Sequence, residues 1–389
     1  MAKPSPQRKD LPDVSRKIGQ TVRYALVASA GGRCEFRGCN RYLFGHSKTK
    51  AVGNFGNNAH IRAFSPDGPR AGTAEERAGV DLNELDNLLL LCEECHSLVD
   101  TDVETYTLDS LCVMKRDHEE RVTYLLELPQ ENEASVIEVW TSLSMPAVVR
   151  GQSKVIAALL PLYPSKHRSA LVDLSRHNLS DLSLVPAATE SIDAELREKF
   201  GAGGERPTHI AVFGITNVPL LVYLGAKLGD RQDARLFQYH RDTKDWKWKT
   251  EPPRAEYALE RLSVGTEPKC VALVLSLSGS VDRADLPSEI DATHSVYEIR
   301  LVSDMPHVDF LRTLADLEKF RALYRSFLGQ LQAAHGSLDE LLVIPAVPIP
   351  VAISLGIDRL PKIHPALWIY DIDKNVADRR AYRRVLRIT

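Results

Sequence analysis

Six cysteines occur in 389 residues, and four of them fall in pairs, Cys34 with Cys39 and Cys92 with Cys95. A tight turn between two nearby cysteines brings both sulfurs to one side, and a second pair completes a tetrahedral thiolate site. Thiolates suit Zn2+, and four protein ligands leave no open position. Cys34, Cys39, Cys92 and Cys95 are therefore expected to hold a structural zinc that contributes folding energy rather than chemistry. Chemistry needs other side chains. His60 lies between the pairs in Asn58-Ala-His-Ile61, Asn87 stands just upstream of Cys92, and His96 follows Cys95 directly. Phosphodiester hydrolysis requires a base for water and a cation for the charge on phosphate and leaving oxygen. His60 is the expected base, since imidazole titrates near working pH. His96, held beside the last thiolate, is the expected ligand of a catalytic divalent ion, and Asn87 is expected to fix its loop and orient the His60 ring.

The elements around these residues follow from pattern. Ile18, Val22, Ala25 and Leu26 recur at helical spacing between Val14 and about Ala30, and Gly31-Gly32 stops the helix. Ala59-His60-Ile61 reads as a strand end, Ser65-Pro-Asp-Gly-Pro69 as a loop, Leu85–Leu91 as an apolar segment entering Cys92, and Asp102–Glu127 as a helix. Residues 1–15 read as a disordered lead-in. The net charge of -3 hides a split: residues 1–70 carry 13 Lys/Arg against 4 Asp/Glu, and residues 71–130 carry 4 against 15. The basic block adjoins the cysteine site, where a phosphate backbone would lie.

At this length two or more domains are expected, and 44% hydrophobic with 26% charged residues is a soluble composition. The best linker is Pro129–Ala134, which gives an N-terminal domain over 1–128, a linker over 129–134 and a second domain over 135–389. Cys112 and Cys270 are left as buried thiols of a reducing compartment. Met1–Pro12 is too polar for a signal peptide or anchor. The apolar run Leu341–Ile357 is broken by Pro345, Pro348 and Pro350 and short for a bilayer, so a buried strand followed by a helix is expected. Together these point to a cytoplasmic protein without a membrane span.

The second half contains an internal repeat at an offset of 131 residues. Ile210–Pro219 aligns with Leu341–Pro350, Leu224-Gly225 with Leu355-Gly356, and Tyr239 with Tyr370, without a gap. Each copy, over about 205–245 and 336–376, reads as strand, turn, glycine-bearing helix and a second strand ending in tyrosine, a β-α-β unit of a parallel sheet. Ligands of such sheets sit at strand carboxyl ends, where helix N-termini favour phosphate. Tyr239, Trp246 and Trp248 are candidate base-stacking residues, with a packed hairpin as the competing role for the tryptophans. His240 and Arg241 are candidates for phosphates or base edges. Ser278, Pro348 and Tyr370 complete the candidate ligand set, and Pro219 and Pro350 fit a helix first turn better than a contact.

Residues from about Gly31 to Glu120 resemble the HNH endonuclease family on Gly31–Cys39, Ala59-His-Ile61, Asp86–Asp100 and Met114–Glu120. The resemblance implies a zinc-containing α+β domain of ββα-metal fold, with Mg2+ or Mn2+ as catalytic ion and double-stranded DNA as substrate. The family often carries an acid directly before the first histidine. Here that place is Ala59, so Asn58, Asn57 or water is expected in its stead, with Asn58 taken as the partner of His96 at the ion. Residues from about 135 to 389 resemble the SAVED domain on the two repeats, Tyr239–Asp242, the tryptophans and Leu275–Gly279. That implies an α/β domain of two duplicated CARF/Rossmann-like units that binds a cyclic di- or trinucleotide of cyclic-oligonucleotide-based antiphage signalling (CBASS). The combined expectation is a ligand-gated DNA endonuclease activated by homo-oligomerisation, from dimer to tetramer. A zinc-containing, ligand-responsive DNA-binding regulator without nuclease activity is the alternative; it gives no reason for His60 and His96 beside the zinc. A restriction-type nuclease fits the duplicated units less well.

Overall fold

The computed structural model describes residues 17–141, 152–200, 208–229, 234–302, 304–373 and 381–389. The expected lead-in over 1–15 and the start of the first helix lie outside the described residues. The chain divides into two compact units, Met1–Leu128 and Pro129–Thr389.

In the first unit, α1 spans Gln20–Ser29 and ends where Gly31 and Gly32 take positive φ of 60° and 66°, a conformation that lacks a steric penalty only without a Cβ. Strand β1 (Gly56–His60) is followed by the one-turn helix α2 (Ala74–Arg77). Strand β2 (Leu88–Cys92) then runs antiparallel to β1, pairing Gly56 with Cys92 and His60 with Leu88. Helix α3 (Glu93–Thr101) starts directly from Cys92, and α4 (Leu108–Leu126) is capped by Thr107, whose hydroxyl accepts from the Ser110 N–H at 3.3 Å. The expected helix over Asp102–Glu127 thus begins six residues later, and α3 is an element the sequence pattern did not announce. Leu88 to Leu91 are all buried because α1 and α3 both touch β2, so neither face of the strand reaches water. Each such leucine contributes roughly 1.5–3 kcal/mol of burial.

The second unit begins with β3 (Glu133–Trp140), which takes up Glu133 and the fully buried Ala134, so the linker is shorter than expected. Helix α5 (Gln152–Leu159), β4 (Tyr163–Pro164), β5 (Ala170–Asp173), α6 (Val185–Phe200), β6 (His209–Ile215), α7 (Val218–Leu228) and β7 (Ala234–Leu236) complete a first parallel sheet. Its order is β4-β3-β6-β7, with β5 also on β3. Then follow β8 (Tyr257–Ser263), β9 (Val271–Ser276), β10 (Ser295–Leu301), α8 (Leu314–His335), β11 (Glu340–Ala346), α9 (Ile349–Ile357), β12 (Ala366–Ile372) and β13 (Tyr382–Ile388). They form a second sheet of order β13-β12-β11-β9-β10-β8, parallel in its middle four strands and antiparallel at both edges.

The repeat is real in space: β6-α7 and β11-α9 begin 131 residues apart at both elements. Its two glycines meet. A Cβ on Gly225 would fall onto the Ile353 carbonyl oxygen, and one on Gly356 onto the Val222 carbonyl oxygen. Helices α7 and α9 therefore cross backbone to backbone. One apolar core runs across both sheets through this crossing, from Ile137 and Val212 to Val343 and Leu367. Leu341–Ile357 forms the expected buried strand and helix, with Pro350 in the helix's first turn. No helix among the described residues is long and apolar enough to cross a membrane. The expectation of buried thiols fails at Cys112, which is exposed on α4, and holds only in part at Cys270, which is half-buried.

Candidate metal centre and ligand-facing strand ends

The knuckle after α1 and the β2–α3 junction bring the four paired cysteines together, with all four sulfurs within 4.8 Å of one another. The Cys39 and Cys92 sulfurs lie 3.9 Å apart. Two thiolates on one tetrahedral zinc at about 2.3 Å sit about 3.8 Å apart, which is close to the Cys39–Cys92 separation. The Cys92 N–H donates to the Cys34 sulfur at 3.3 Å, fixing one pair on the other. Burial pushes the Cys34 thiol up to about 12. Burial acts the same way on Cys92, but donors from Cys95 and the neighbouring thiols outweigh it and hold this thiol below its ordinary value. A divalent cation bound by such sulfurs favours their ionised form.

His60 closes β1 and is half-buried beside Phe64. Its Nε2 lies 3.1 Å from the Asn83 carboxamide oxygen. Asn83, which sequence reasoning did not single out, orients this ring; Asn87 does not. Asn87 instead accepts from the Arg62 N–H at 2.8 Å and donates to the carbonyls of Leu82 and Arg62 at 2.8 and 3.1 Å. It fixes the chain that leaves His60. His96 projects from α3, its Nε2 3.4 Å from Asp100 Oδ2. Asn58 is half-buried on β1, two residues before His60.

In the second unit the strand order reverses twice. The chain leaves β3 for β4 and β5 on one side and returns as β6 on the other; it leaves β9 for β10 and returns as β11 on the opposite side. Such reversals open a crevice at the strand carboxyl ends. At the second lie Ser278, whose N–H donates to the Ala346 carbonyl at 2.8 Å, and Pro348, the N-cap residue of α9. At the first lies Thr216, whose hydroxyl oxygen is buried without a hydrogen-bond partner among the described residues. A cavity of about 610 Å³ opens at the ends of β9 and β10, lined by Ser276, Arg283, Glu298, Arg300 and Met305 among others.

Tyr239, His240, Trp246 and Trp248 are close together, in a strap that follows β7. Trp246 is fully buried, edge-on to Trp140, Phe213 and Tyr239. The competing role weighed for it, packing, is the one the structure gives, and its face is not available to a base. Tyr239 and His240 are also buried, and Trp248 donates from its indole to the Leu236 carbonyl at 3.0 Å. Arg241 alone of this strap's candidates is exposed. Tyr370 is buried within β12, its hydroxyl donating to Glu289 at 2.6 Å, so it too is a core residue.

Residues 192–388 match the family model of SAVED, the SMODS-associated and fused to various effectors sensor domain. The chain belongs to the SAVED family. The match covers the SAVED residues from α6 to β13, including both glycine-bearing helices. No curated relative matches the chain. Among solved structures, the Acinetobacter baumannii Cap4 SAVED/CARF-domain containing receptor with the cyclic trinucleotide 2'3'3'-cAAA is 12% identical, with a TM-score of 0.38, over 74% of this chain and 55% of that one. The same receptor with 3'3'3'-cAAA gives 13%, 0.39, 74% and 56%. The Moraxella osloensis Cap4 SAVED/CARF-domain containing receptor is 14% identical with a TM-score of 0.37, over 79% of this chain and 63% of that one. The SAVED chain thus spans 55–63% of the length of these receptors.

Proposed function

We propose that this protein is a metal-dependent DNA endonuclease of antiphage defence whose SAVED unit switches it on when a cyclic di- or trinucleotide binds. The observation that carries the reading is a four-cysteine cluster clamping a two-strand-and-helix unit that bears His60 and His96, in a chain whose other half belongs to a sensor family. A structural Zn2+ on Cys34, Cys39, Cys92 and Cys95 holds β1, β2 and α3 in register. That unit is the HNH-like nuclease. The interatomic spacing of its sulfurs supports zinc, and the all-thiolate donor set leaves no ligand position for substrate.

His60 acts as base. With its Nε2–H donating to Asn83, Nδ1 is left to take a proton from water. Asn87 holds the backbone after the base, so the ring keeps its position through the reaction. His96 and Asn58 would hold a Mg2+ or Mn2+, which when bound supplies charge for the phosphate and the leaving oxygen. The excess of cations over residues 1–70, Arg33, Arg37 and Arg41 among them, favours a duplex DNA backbone. In the SAVED unit, Ser278, Pro348 and Thr216 line the strand ends that receive the cyclic nucleotide, and Arg241 is an exposed cation of the strap beside Lys244 and Lys247. Ligand binding favours an oligomer in which nuclease units meet on DNA.

The test incubates zinc-loaded protein with plasmid, Mg2+ or Mn2+ and a panel of cyclic di- and trinucleotides. Cleavage is expected only with a cognate cyclic nucleotide, and His60→Ala is expected to abolish it while ligand binding stays at the parent's affinity. Full cleavage by His60→Ala removes it as base. Ligand-dependent DNA binding without any cleavage supports the regulator instead.

A further inference from the structure

A hard divalent cation prefers oxygen ligands and at least one carboxylate. Strand β1 presents Asn57, Asn58 and Ala59 and no acid. The carboxylate near His96 comes from elsewhere. We propose that Asp100 is the acidic ligand of a divalent-cation site shared with His96, and that Arg70 aims it.

Three observations carry this. First, His96 and Asp100 are one helical turn apart on α3 and face each other, Nε2 to Oδ2 at 3.4 Å. That is longer than a good hydrogen bond, and it suits two ligand atoms that each reach one ion at about 2.1 Å and so lie about 3.0–3.4 Å apart. Second, the other oxygen of Asp100 is already committed: Oδ1 accepts from Arg70 Nη2 at 2.8 Å, which leaves Oδ2 turned toward His96. Third, Arg70 is itself built in. Its side chain is only 5% exposed; Nε donates to the Ile61 carbonyl at 3.0 Å and Nη1 to the Val99 carbonyl at 2.5 Å. Arg70 also takes a φ of 56°, a left-handed conformation that a long side chain adopts at a cost. The guanidinium therefore ties the residue after His60 to the last turn of α3, so base and cation ligands share one support. His96 and Asp100 remain 33% and 41% exposed, open to ions from solvent. A carboxylate has lone pairs enough to serve Arg70 and an ion together.

The role of this ion in catalysis rests on the nuclease reading; the site does not. The test titrates Mn2+ into the zinc-loaded full chain and follows free Mn2+ by electron paramagnetic resonance, beside zinc content and thermal midpoint. The parent is expected to bind one Mn2+ beyond the zinc. Asp100→Asn and His96→Ala should each raise its Kd at least about tenfold, with zinc content and midpoint unchanged. Arg70→Lys should weaken Mn2+ binding less than Asp100→Asn; should it fail to fold, the more exposed Asp100 variant still decides. Parent-like Mn2+ affinity in folded Asp100→Asn, or no Mn2+ bound by the parent, overturns the proposal. If Asp100-dependent binding is found and no cyclic nucleotide elicits cleavage, the site stands and the nuclease reading falls. If Asp100→Asn cleaves plasmid with the parent's Mn2+ dependence, the nuclease reading stands and this site falls.

Discussion

Trp246→Ala is expected to loosen the SAVED unit rather than to weaken ligand binding selectively. The indole is 0% exposed, with ring centroids 5.8, 5.5 and 5.1 Å from those of Trp140, Phe213 and Tyr239. Burying a tryptophan removes roughly 200–250 Å² from water, worth about 5–6 kcal/mol at about 25 cal/mol per Å². The methyl of alanine retains part of that. Truncation also relieves a buried indole N–H that has no partner among the described residues, which already costs about 1–2 kcal/mol. The net loss is about 3 kcal/mol, at the lower end of measured Trp→Ala changes. For a unit of this size that lowers Tm by roughly 6–12 °C. Thermal denaturation of the full chain measures it. Trp246→Phe keeps most of the packing and drops the orphan N–H, so it should melt within about 3 °C of the parent. A folded Trp246→Ala that melts with the parent, yet needs tenfold more cyclic nucleotide for the same response, would refute this account and restore the ring as a base-stacking contact.

Cys92→Ser is expected to unfold the first unit, because a structural zinc contributes folding energy directly; zinc content and limited proteolysis read it, and a protease-resistant, zinc-free variant that still cuts DNA defeats the assignment. Gly356→Val should destabilise the second unit by several kcal/mol, on the order of 3 or more, since its side chain meets the Val222 backbone and not a flexible side chain; an unchanged denaturation midpoint would show that the helices can part. His240 is buried, and burial first, then nearby Lys249, depresses it to about 4. It stays neutral in the folded chain while the unfolded chain protonates below about 6.5, so its contribution is intact above that pH and is lost as pH falls toward 4, by up to about 3 kcal/mol. Denaturation midpoints between pH 7 and 4.5 should fall less steeply in His240→Gln than in the parent, and parallel curves would exclude His240 as the source.

Much of the second unit was legible because duplication preserved register. A constant offset aligned two strands, two helices and two glycines, and only packing against a partner copy explains a glycine inside each helix. The cysteine cluster was legible because ligand spacing is a local constraint. What was not legible depends on contacts between distant segments. Asn83 carries no pattern that separates it from a loop asparagine; only the fold sets it against His60. Trp246 looked equally suited to ligand and core, since an aromatic in a polar segment has no periodicity to place it. Helix α3 went unread because Glu93-Glu-Cys-His is too short and polar to show an apolar face, and its start is fixed by β2 ending at Cys92.

The meeting of Gly225 and Gly356 also fixes a mechanical relation between the two halves of the sensor. From Val218 to Gly225 and from Ile349 to Gly356 there are equal arms of seven residues, about 10 Å at 1.5 Å per residue. Backbone lies against backbone at the contact, so no side chain can repack to let one helix slide along the other. Rotation is the motion left. The pair is built like scissors with matched blades, and a ligand that draws the two helix starts together changes one quantity, the crossing angle about that pivot.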